Sequence, residues 1–188
     1  MERERRELDR LAAFSDGVFA IAITLLVLNL EVPDVPRAEL DAALSELSGD
    51  SQAYVIGFAV MGLFWYGHHK LFAGLERSSG QLVLVNMLLL ALITLMPFTT
   101  DLIGRYDDPL AVTLYATNVG IALLLDGLTD AVARGVAWGS LAGALARALV
   151  FFVSIPVAYL VSPNAAEWFW LALIVVALGG RRLERRRT

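Results

Sequence analysis

An aspartate and a serine lie near the start of an otherwise apolar stretch, RLAAFSDGVFAIAITLLVLNLEVP, at residues 10–33. A charged side chain at membrane depth costs at least about 2.5 kcal/mol, so such groups usually face a protein interior or a water-filled cavity. Asp16 therefore needs either a partner on another helix or a pore. Ser15 supplies a neighbouring hydroxyl, and the middle of the stretch is apolar apart from Thr24.

The composition is that of a membrane protein. Of the 188 residues, 57% are hydrophobic and 18% are charged, with a mean hydropathy of +0.64, which is more apolar than a single soluble core can absorb. Cysteine is absent, which excludes disulfides and thiolate metal sites. The charged start MERERRELDR and the lack of a small-residue cleavage site predict a retained anchor rather than a signal peptide.

Six segments have the apolar character of a membrane-spanning helix, which needs roughly 20 residues and at least about 17. They cover residues 11–30, 54–75, 82–100, 109–125, 141–161 and 166–180. Five spans are the main alternative, because Arg147 interrupts the fifth segment and the sixth is short. We find no internal repeat, so residues 1–188 are predicted to form a single transmembrane domain.

The basic residues are distributed asymmetrically over this topology. With the N-terminus inside, Arg37 and Arg105 are the only two of the 15 Lys and Arg residues in outer segments, and those segments are rich in Asp and Glu. Because short cytoplasmic loops carry the excess of Lys and Arg, we predict that both termini are cytoplasmic.

Two connections are long enough to have structure of their own. In residues 31–53, prolines are followed by leucines at helical spacing, which predicts a short amphipathic helix on the outer surface, opened by Asp34 or Pro36. Residues 126–139 have mixed charge and three glycines, and they predict a cytoplasmic turn.

The first segment has two distinct faces when it is drawn as a helix with about 100° per residue. Ile21, Leu25 and Leu28 then fall within about 60° of one another, with Thr24 beside them, and Asp16 lies about 140° from Ile21. The aspartate would thus point sideways into a neighbouring helix if the stripe faced a central axis. From spacing alone, ordinary packing of the stripe against protein or lipid is the commoner role, and pore lining is the alternative.

Three ordered motifs stand in the first three segments: RLAAFSD at residues 10–16, WYGHHKLF at 65–72, and LVNMLLLALITLMPFT at 84–99. Together they resemble the TMEM175 family of potassium channels. In that family the first helix carries RxxxFSD, the second W-x-x-H-x-x-L-F, and the third an Asn followed by a Pro-aromatic pair. The likeness covers about residues 10–106, and beyond them only the helix count agrees.

The resemblance implies an all-α integral membrane fold with one six-helix repeat per chain, assembled as a homotetramer without a re-entrant selectivity-filter loop. Four first helices would line a central pore in the bacterial plasma membrane. The implied function is that of a potassium-permeable cation channel, gated and filtered by a hydrophobic constriction. Carried onto this sequence, the constriction is Ile21, Leu25 and Leu28, and Thr24 adds a hydroxyl layer. The resemblance implies no metal site and no cofactor, with K⁺ held transiently as the permeant ion.

The signature residues are structural in this interpretation. We expect a charge-assisted network that joins the first helix to the second and third. Its members would be Arg10, Phe14, Ser15, Asp16, Trp65, His68 and Asn86. A buried pair broken at one side costs about 3–5 kcal/mol, so the network should govern assembly or gating more than selectivity.

Several other functions compete with that of a channel. A secondary transporter or proton-coupled carrier is the main alternative, because Pro97 and Pro156 interrupt segments in the two halves of the chain. A proton relay through His68 and Asp16 would suit a response to pH. A membrane scaffold would conduct nothing.

Metal binding, catalysis and nucleic-acid binding have the weakest support. His68 and His69 lie about 100° apart on a helix and do not form the i, i+4 pair that shares a metal. The chain offers no cluster of nucleophile, base or metal ligands, so we predict that it is not an enzyme. The arginines after residue 180 are better suited to anionic membrane lipid than to nucleic acid.

Overall fold

A computed structural model of the chain describes residues 2–135 and 137–171, and over these residues the secondary structure is entirely helical. The long helices are α1 (Glu2–Leu25), which continues as a 3₁₀ turn (Leu26–Asn29), α3 (Ser48–Ala73), α4 (Gly80–Arg105), α5 (Pro109–Arg134) and α6 (Ala137–Leu160). The short helix α2 (Leu40–Glu46) precedes α3. Residues 163–171 are helical again.

Four helical segments within the described residues are long and apolar enough to cross a membrane: Glu4–Asn29, Gly80–Arg105, Pro109–Arg134 and Gly139–Leu160. The chain is therefore a multi-pass membrane protein. The 26 residues of α3 also exceed the length needed for a span, but polar residues at both its ends lower its hydropathy. The predicted sixth span is 166–180, and its residues 172–180 lie outside the described residues.

The outer connection contains the short helix that the leucine spacing predicts. Pro36 precedes a 3₁₀ turn, Arg37–Glu39, which leads directly into α2. Between the two alternatives for the start of this helix, the structure thus has Pro36 rather than Asp34. Leu44 of α2 is half exposed, as expected for a helix that covers the end of the bundle.

The prediction of a turn over residues 126–139 was wrong, because α5 continues to Arg134. An i, i+4 ion pair between Arg134 Nε and Asp130 Oδ1, at 2.6 Å, supports the last turns. The helix ends at Gly135, whose φ of 67° is left-handed and favours glycine. The polar residues that suggested a loop therefore belong to the helix.

The core lies between α1, α3, α4 and α5, with α6 packed against α5. Phe19 of α1 and Leu26 of its 3₁₀ turn are fully buried in this core, together with Ile56 of α3, Ile93 of α4 and Tyr115 of α5. A smaller cluster closes one end of the bundle and contains Leu8, Leu11, Leu71, Phe72 and Leu82. Because α1 contacts α3 and α4 along one side, the rest of the subunit determines which face of α1 stays free.

Glycine allows the close approach of α5 to α6. A β-carbon added at Gly127 would overlap the side chain of Ala144 and lie 3.2 Å from the carbonyl oxygen of Ser140. Small residues are enriched at helix contacts in membranes for this reason. The α5–α6 pair thus depends on a position with no side chain.

Gly127→Ala should destabilise the protein by about 1–3 kcal/mol, because the new methyl group overpacks the α5–α6 contact. The measurement is the thermal unfolding midpoint of the purified protein in detergent. Gly143→Ala is the matched control, since Gly143 is exposed on α6 and a β-carbon there has no neighbour within 4 Å. Its midpoint should stay level or rise, and equal losses in both variants would contradict the close packing.

Candidate functional site

The residues predicted to form a pore constriction lie on one exposed face of α1 and its 3₁₀ turn. Ile21, Leu25 and Leu28 are 63%, 41% and 68% exposed in the isolated chain. Thr24 is exposed on the same face, and its Oγ1 donates to the carbonyl oxygen of Ile21 at 2.8 Å. Phe14 extends the face toward the N-terminus and is 55% exposed. The stripe is therefore continuous and available to a neighbouring molecule, to lipid or to an aqueous path.

The opposite face of α1 is fixed to its own subunit. Phe19, Ala22 and Leu26 recur at helical spacing and are at most 2% exposed. Ser15 lies on the same buried side and is completely inaccessible. Since this face cannot turn outward without opening the core, the orientation of the stripe follows from the packing.

A chain of buried hydrogen bonds connects α3, α4 and α1. Asn86 Oδ1 and His68 Nε2 lie 2.7 Å apart, Asn86 Nδ2 donates to Ser15 Oγ at 3.0 Å, and Ser15 Oγ donates to the carbonyl oxygen of Leu11 at 2.9 Å. With the Asn86 amide so oriented, its Oδ1 accepts and His68 must carry a proton on Nε2. These hydrogen bonds thus position α1 against α3 and α4.

The His68 ring is held by aromatic packing as well as by its hydrogen bond. It stacks on Phe72 with ring centroids 4.2 Å apart, and it contacts Phe19 at 5.5 Å. Its exposed fraction is 1%. These contacts fix the imidazole plane and hence the direction of the bond to Asn86.

Asp16 makes a separate contact at the surface of the bundle. Trp65 Nε1 donates to Asp16 Oδ1 at 2.9 Å, and Trp65 stacks on His69 with centroids 5.5 Å apart. The carboxylate thus points toward α3 and away from the apolar stripe. This second link between α1 and α3 is solvent-accessible in the isolated chain, unlike the bond between Ser15 and Asn86.

Two residues assigned to the network from the sequence are not part of it. Over residues 2–135 and 137–171, the structure gives Arg10 no hydrogen bond or ion pair, and its side chain is exposed. Phe14 lies on the exposed stripe instead. The reason is the helical spacing, because Phe14 and Ile21 are seven residues apart and therefore share a face.

Charged residues at the end of the bundle near Asn29 form pairs that the sequence reasoning did not assign. Arg105 binds Asp101 through Nε at 2.7 Å and Glu31 through Nη2 at 2.8 Å. Asp50 of α3 lies at the same end, beside Asn29 and Asp101. The i, i+4 spacing of Asp101 and Arg105 is the signal that could have identified the first pair. Arg105 is thus outnumbered by acids at this end.

A second charged cluster connects α5 to α6. Arg147 Nη2 lies 3.5 Å from Asp126 Oδ2, and Ser140 donates to the Asp130 carboxylate in the same region. Arg147 interrupts the fifth predicted span, and the structure gives it a partner on α5. The cluster explains how a basic residue is accommodated inside an apolar segment.

An interaction that the sequence did not suggest occurs where α1 ends. Asn29 Nδ2 donates to the carbonyl oxygen of Pro97 at 3.2 Å and so connects the 3₁₀ turn to α4. Neither residue type nor spacing indicates a contact between positions 68 residues apart. It becomes visible once α1 and α4 are packed together.

Residues 10–97 match a known protein family, which is described as endosomal/lysosomal potassium channel TMEM175. A potassium channel of Streptomyces collinus is 41% identical over 102 residues, covering 53% of this chain and 49% of that protein. A potassium channel of Chamaesiphon minutus is 42% identical over 106 residues, covering 55% and 52%. The chain spans about half the length of these two curated relatives.

A more distant relative and a solved structure extend the likeness. The endosomal/lysosomal proton channel TMEM175 of Bos taurus is 40% identical over 125 residues, covering 62% of this chain and 26% of that protein. The crystal structure of a lysosomal potassium-selective channel TMEM175 homologue from Chamaesiphon minutus superposes with a TM-score of 0.80 at 28% identity, covering 91% of this chain and 96% of that one. Residues 10–97 are therefore similar to the TMEM175 family, and the chain has the fold of the solved TMEM175 homologue.

Proposed function

We propose that the chain is one subunit of a potassium-permeable cation channel, in which four copies arrange α1 around a central pore. Ile21, Leu25 and Leu28 would form the constriction. The observation that carries the proposal is the apolar stripe on α1, which is exposed although the opposite face of the helix is buried. The solved homologue and the bacterial relatives are named as potassium channels, which favours a pore over lipid as the neighbour of this stripe.

The proposed topology has six spans with both termini on the cytoplasmic side of the bacterial plasma membrane. Four apolar helices and the 26-residue α3 account for five spans, and residues 163–171 would begin the sixth. The distribution of Lys and Arg supports this orientation. Asn29 and Arg105 then lie at the outer end, and Ser15 and Asn86 lie toward the inner end.

A ring of aliphatic side chains filters ions without coordinating them. It has no ligand oxygens, so when it is narrow, water leaves and an ion faces a large dehydration cost. When it is wide, hydrated or partly hydrated ions pass, and preference for K⁺ over Na⁺ follows from the lower cost of removing water from K⁺. Thr24 Oγ1 uses its proton toward Ile21 and leaves lone pairs that can face a cation.

The charges at the outer end support a path for cations. Arg105 is bound by Asp101 and Glu31, so its charge is neutralised and the further acids of the outer connections remain in excess. Such a surface raises the local concentration of cations, and salt screens this effect over about 10 Å at 0.1 M. Conductance at low salt should therefore exceed what the constriction alone would allow.

A proton relay through the buried network is the competing function, and the vertebrate relatives are named as proton channels. The contacts favour a path along α1 instead. Asn86 stands between His68 and Ser15, and a side-chain amide does not pass on a proton as a water or an imidazole does. Asp16 is bonded separately to Trp65.

Ile21→Asn should raise the single-channel conductance and lower the K⁺/Na⁺ permeability ratio, because an amide ring holds water where the aliphatic ring excludes it. Planar-bilayer recording of the purified protein measures both quantities. Leu149→Asn is the control, since Leu149 is 48% exposed on α6, away from α1. Currents that change equally in both variants would argue against a constriction at Ile21, and saturable coupled uptake without single-channel currents would indicate a transporter.

Asn86→Leu should reduce stability and assembly, because the substitution keeps the volume but leaves the buried Nε2–H of His68 without an acceptor and the Ser15 hydroxyl without its donor. Each unsatisfied buried group costs about 1–3 kcal/mol. The unfolding midpoint and the fraction of assembled particle in size-exclusion chromatography report the effect.

Trp65→Phe is the matched control for this variant, since it removes one exposed hydrogen bond to Asp16 and should cost at most about 1 kcal/mol. If the Asn86→Leu variant unfolded at the same temperature as the parent, the buried hydrogen bonds of Asn86 would not be what holds α1 in place.

A further inference from the structure

The outer end of α1 changes from α-helical to 3₁₀ geometry within the proposed constriction. Leu25 has φ −66° and ψ −24°, and residues Leu26–Asn29 form the 3₁₀ turn, which is closed by a bond from Leu30 N to the carbonyl oxygen of Val27 at 3.1 Å. A 3₁₀ helix has about 3.0 residues per turn, so residues three apart eclipse one another. Leu25 and Leu28 are therefore stacked along the helix axis.

Two contacts hold this turn in place from the buried side. Leu26 is fully buried, and its Cδ2 would lie 3.2 Å from a β-carbon at Gly57 of α3. Asn29 donates to the carbonyl oxygen of Pro97 on α4. Between these two contacts, Val27 and Leu28 are 51% and 68% exposed. The exposed part of the turn is thus bounded by a packed residue and a hydrogen bond.

The acceptor lies in a weakened part of α4. Pro97 has no backbone N–H, so α4 lacks one of its own hydrogen bonds at this level. Asn118 of α5 donates to the carbonyl oxygen of Leu92 at 3.3 Å in the same region. The Asn29 bond therefore joins α1 to a segment that side chains from two neighbours support.

Conversion of the turn to α-helix would move Leu28 in a defined way. Three residues span about 360° in a 3₁₀ helix and about 300° in an α-helix, so Leu28 would rotate by about 60° relative to Leu25. The rise per residue would fall from roughly 2.0 Å in the 3₁₀ turn to about 1.5 Å in an α-helix. Over three residues, Leu28 would therefore move about 1.5 Å along the axis toward Leu25. Asn29 would rotate with it and lose its approach to Pro97.

We infer that the hydrogen bond from Asn29 to Pro97 is a latch that keeps the outer end of α1 in its 3₁₀ form. Release of this bond lets the turn become α-helical and rotates Leu28 out of register with Leu25, which changes the aperture of the aliphatic ring. Asn29 is thus a positioning residue for the gate, although it does not contact the ion. The inference rests on the proposed function, since the aperture matters only where α1 lines the pore.

Asn29→Asp tests the latch, because aspartate has the same shape but no N–H to donate. Single-channel recording at about 1 M salt, where the added charge is screened beyond about 3 Å, should show mean open times changed about two- to tenfold, with unchanged conductance of the open level. This factor corresponds to the net contribution of one hydrogen bond. Asn29→Gln keeps the donor and should stay close to the parent. If the Asp and Gln variants altered gating alike, the hydrogen bond would not be the cause and the latch would be refuted.

Asn164→Asp is the charge-matched control. Asn164 is exposed beyond α6, and its replacement by Asp adds the same charge on the same proposed side of the membrane. Its open times should equal those of the parent. An equal change in Asn164→Asp and Asn29→Asp would assign the effect to charge and would overturn the latch.

A second readout separates failure of the latch from failure of the pore. The chain has no cysteine, so Leu28→Cys provides a single thiol for a neutral, bulky methanethiosulfonate reagent, whose approach an added charge does not steer. Modification that leaves the current unchanged would refute pore lining by Leu28. Modification that blocks the current, at a rate that Asn29→Asp changes at least twofold, supports the latch. The latch would be refuted if Asn29→Asp changed neither the rate of the block nor the open times of the channel. The channel proposal would still stand in that case.

Discussion

The fixed orientation of α1 is the constraint on which the rest of the structure depends. Phe19, Ala22 and Leu26 bury one side of this helix in the core, and the hydrogen bond between Ser15 and Asn86 fixes its rotation. The other side must then be exposed, and it is an uninterrupted apolar stripe with a single hydroxyl at Thr24. A subunit built in this way presents the same stripe in every copy, which is what a symmetric assembly around an axis requires.

The polar contacts of the bundle have two roles: some hold α1 in place, and others neutralise a basic residue at the outer end. The hydrogen bonds from His68 through Asn86 to Ser15 are buried, and buried networks of this kind specify one arrangement because an unpaired member is costly. At the opposite end of α1, Asn29 contacts α4, and the ion pairs of Arg105 neutralise a basic residue near the proposed mouth. The helix is therefore held at both ends, with its aliphatic positions between the two attachments.

Helical spacing predicted the shared face of Ile21, Leu25 and Leu28, and it also separates Asp16 from that face, because both follow from about 100° per residue. The same rule would have removed Phe14 from the polar network. The full length of α5 was missed because Asp126 and Asp130 lower its hydropathy, although both find partners, Asp126 on α6 and Asp130 on α5 and α6. The contact of Asn29 with Pro97 depends on the packing of distant helices and on a local 3₁₀ turn, and neither leaves a periodic signal in the sequence.

The most direct measurement is a single-particle reconstruction of the full chain in lipid nanodiscs. Four copies should surround one axis, with α1 innermost and the side chains of Ile21, Leu25 and Leu28 converging on a narrow conduit. A particle in which α1 faces the lipid, or one without an axial conduit, would contradict the idea that this helix controls the passage of ions.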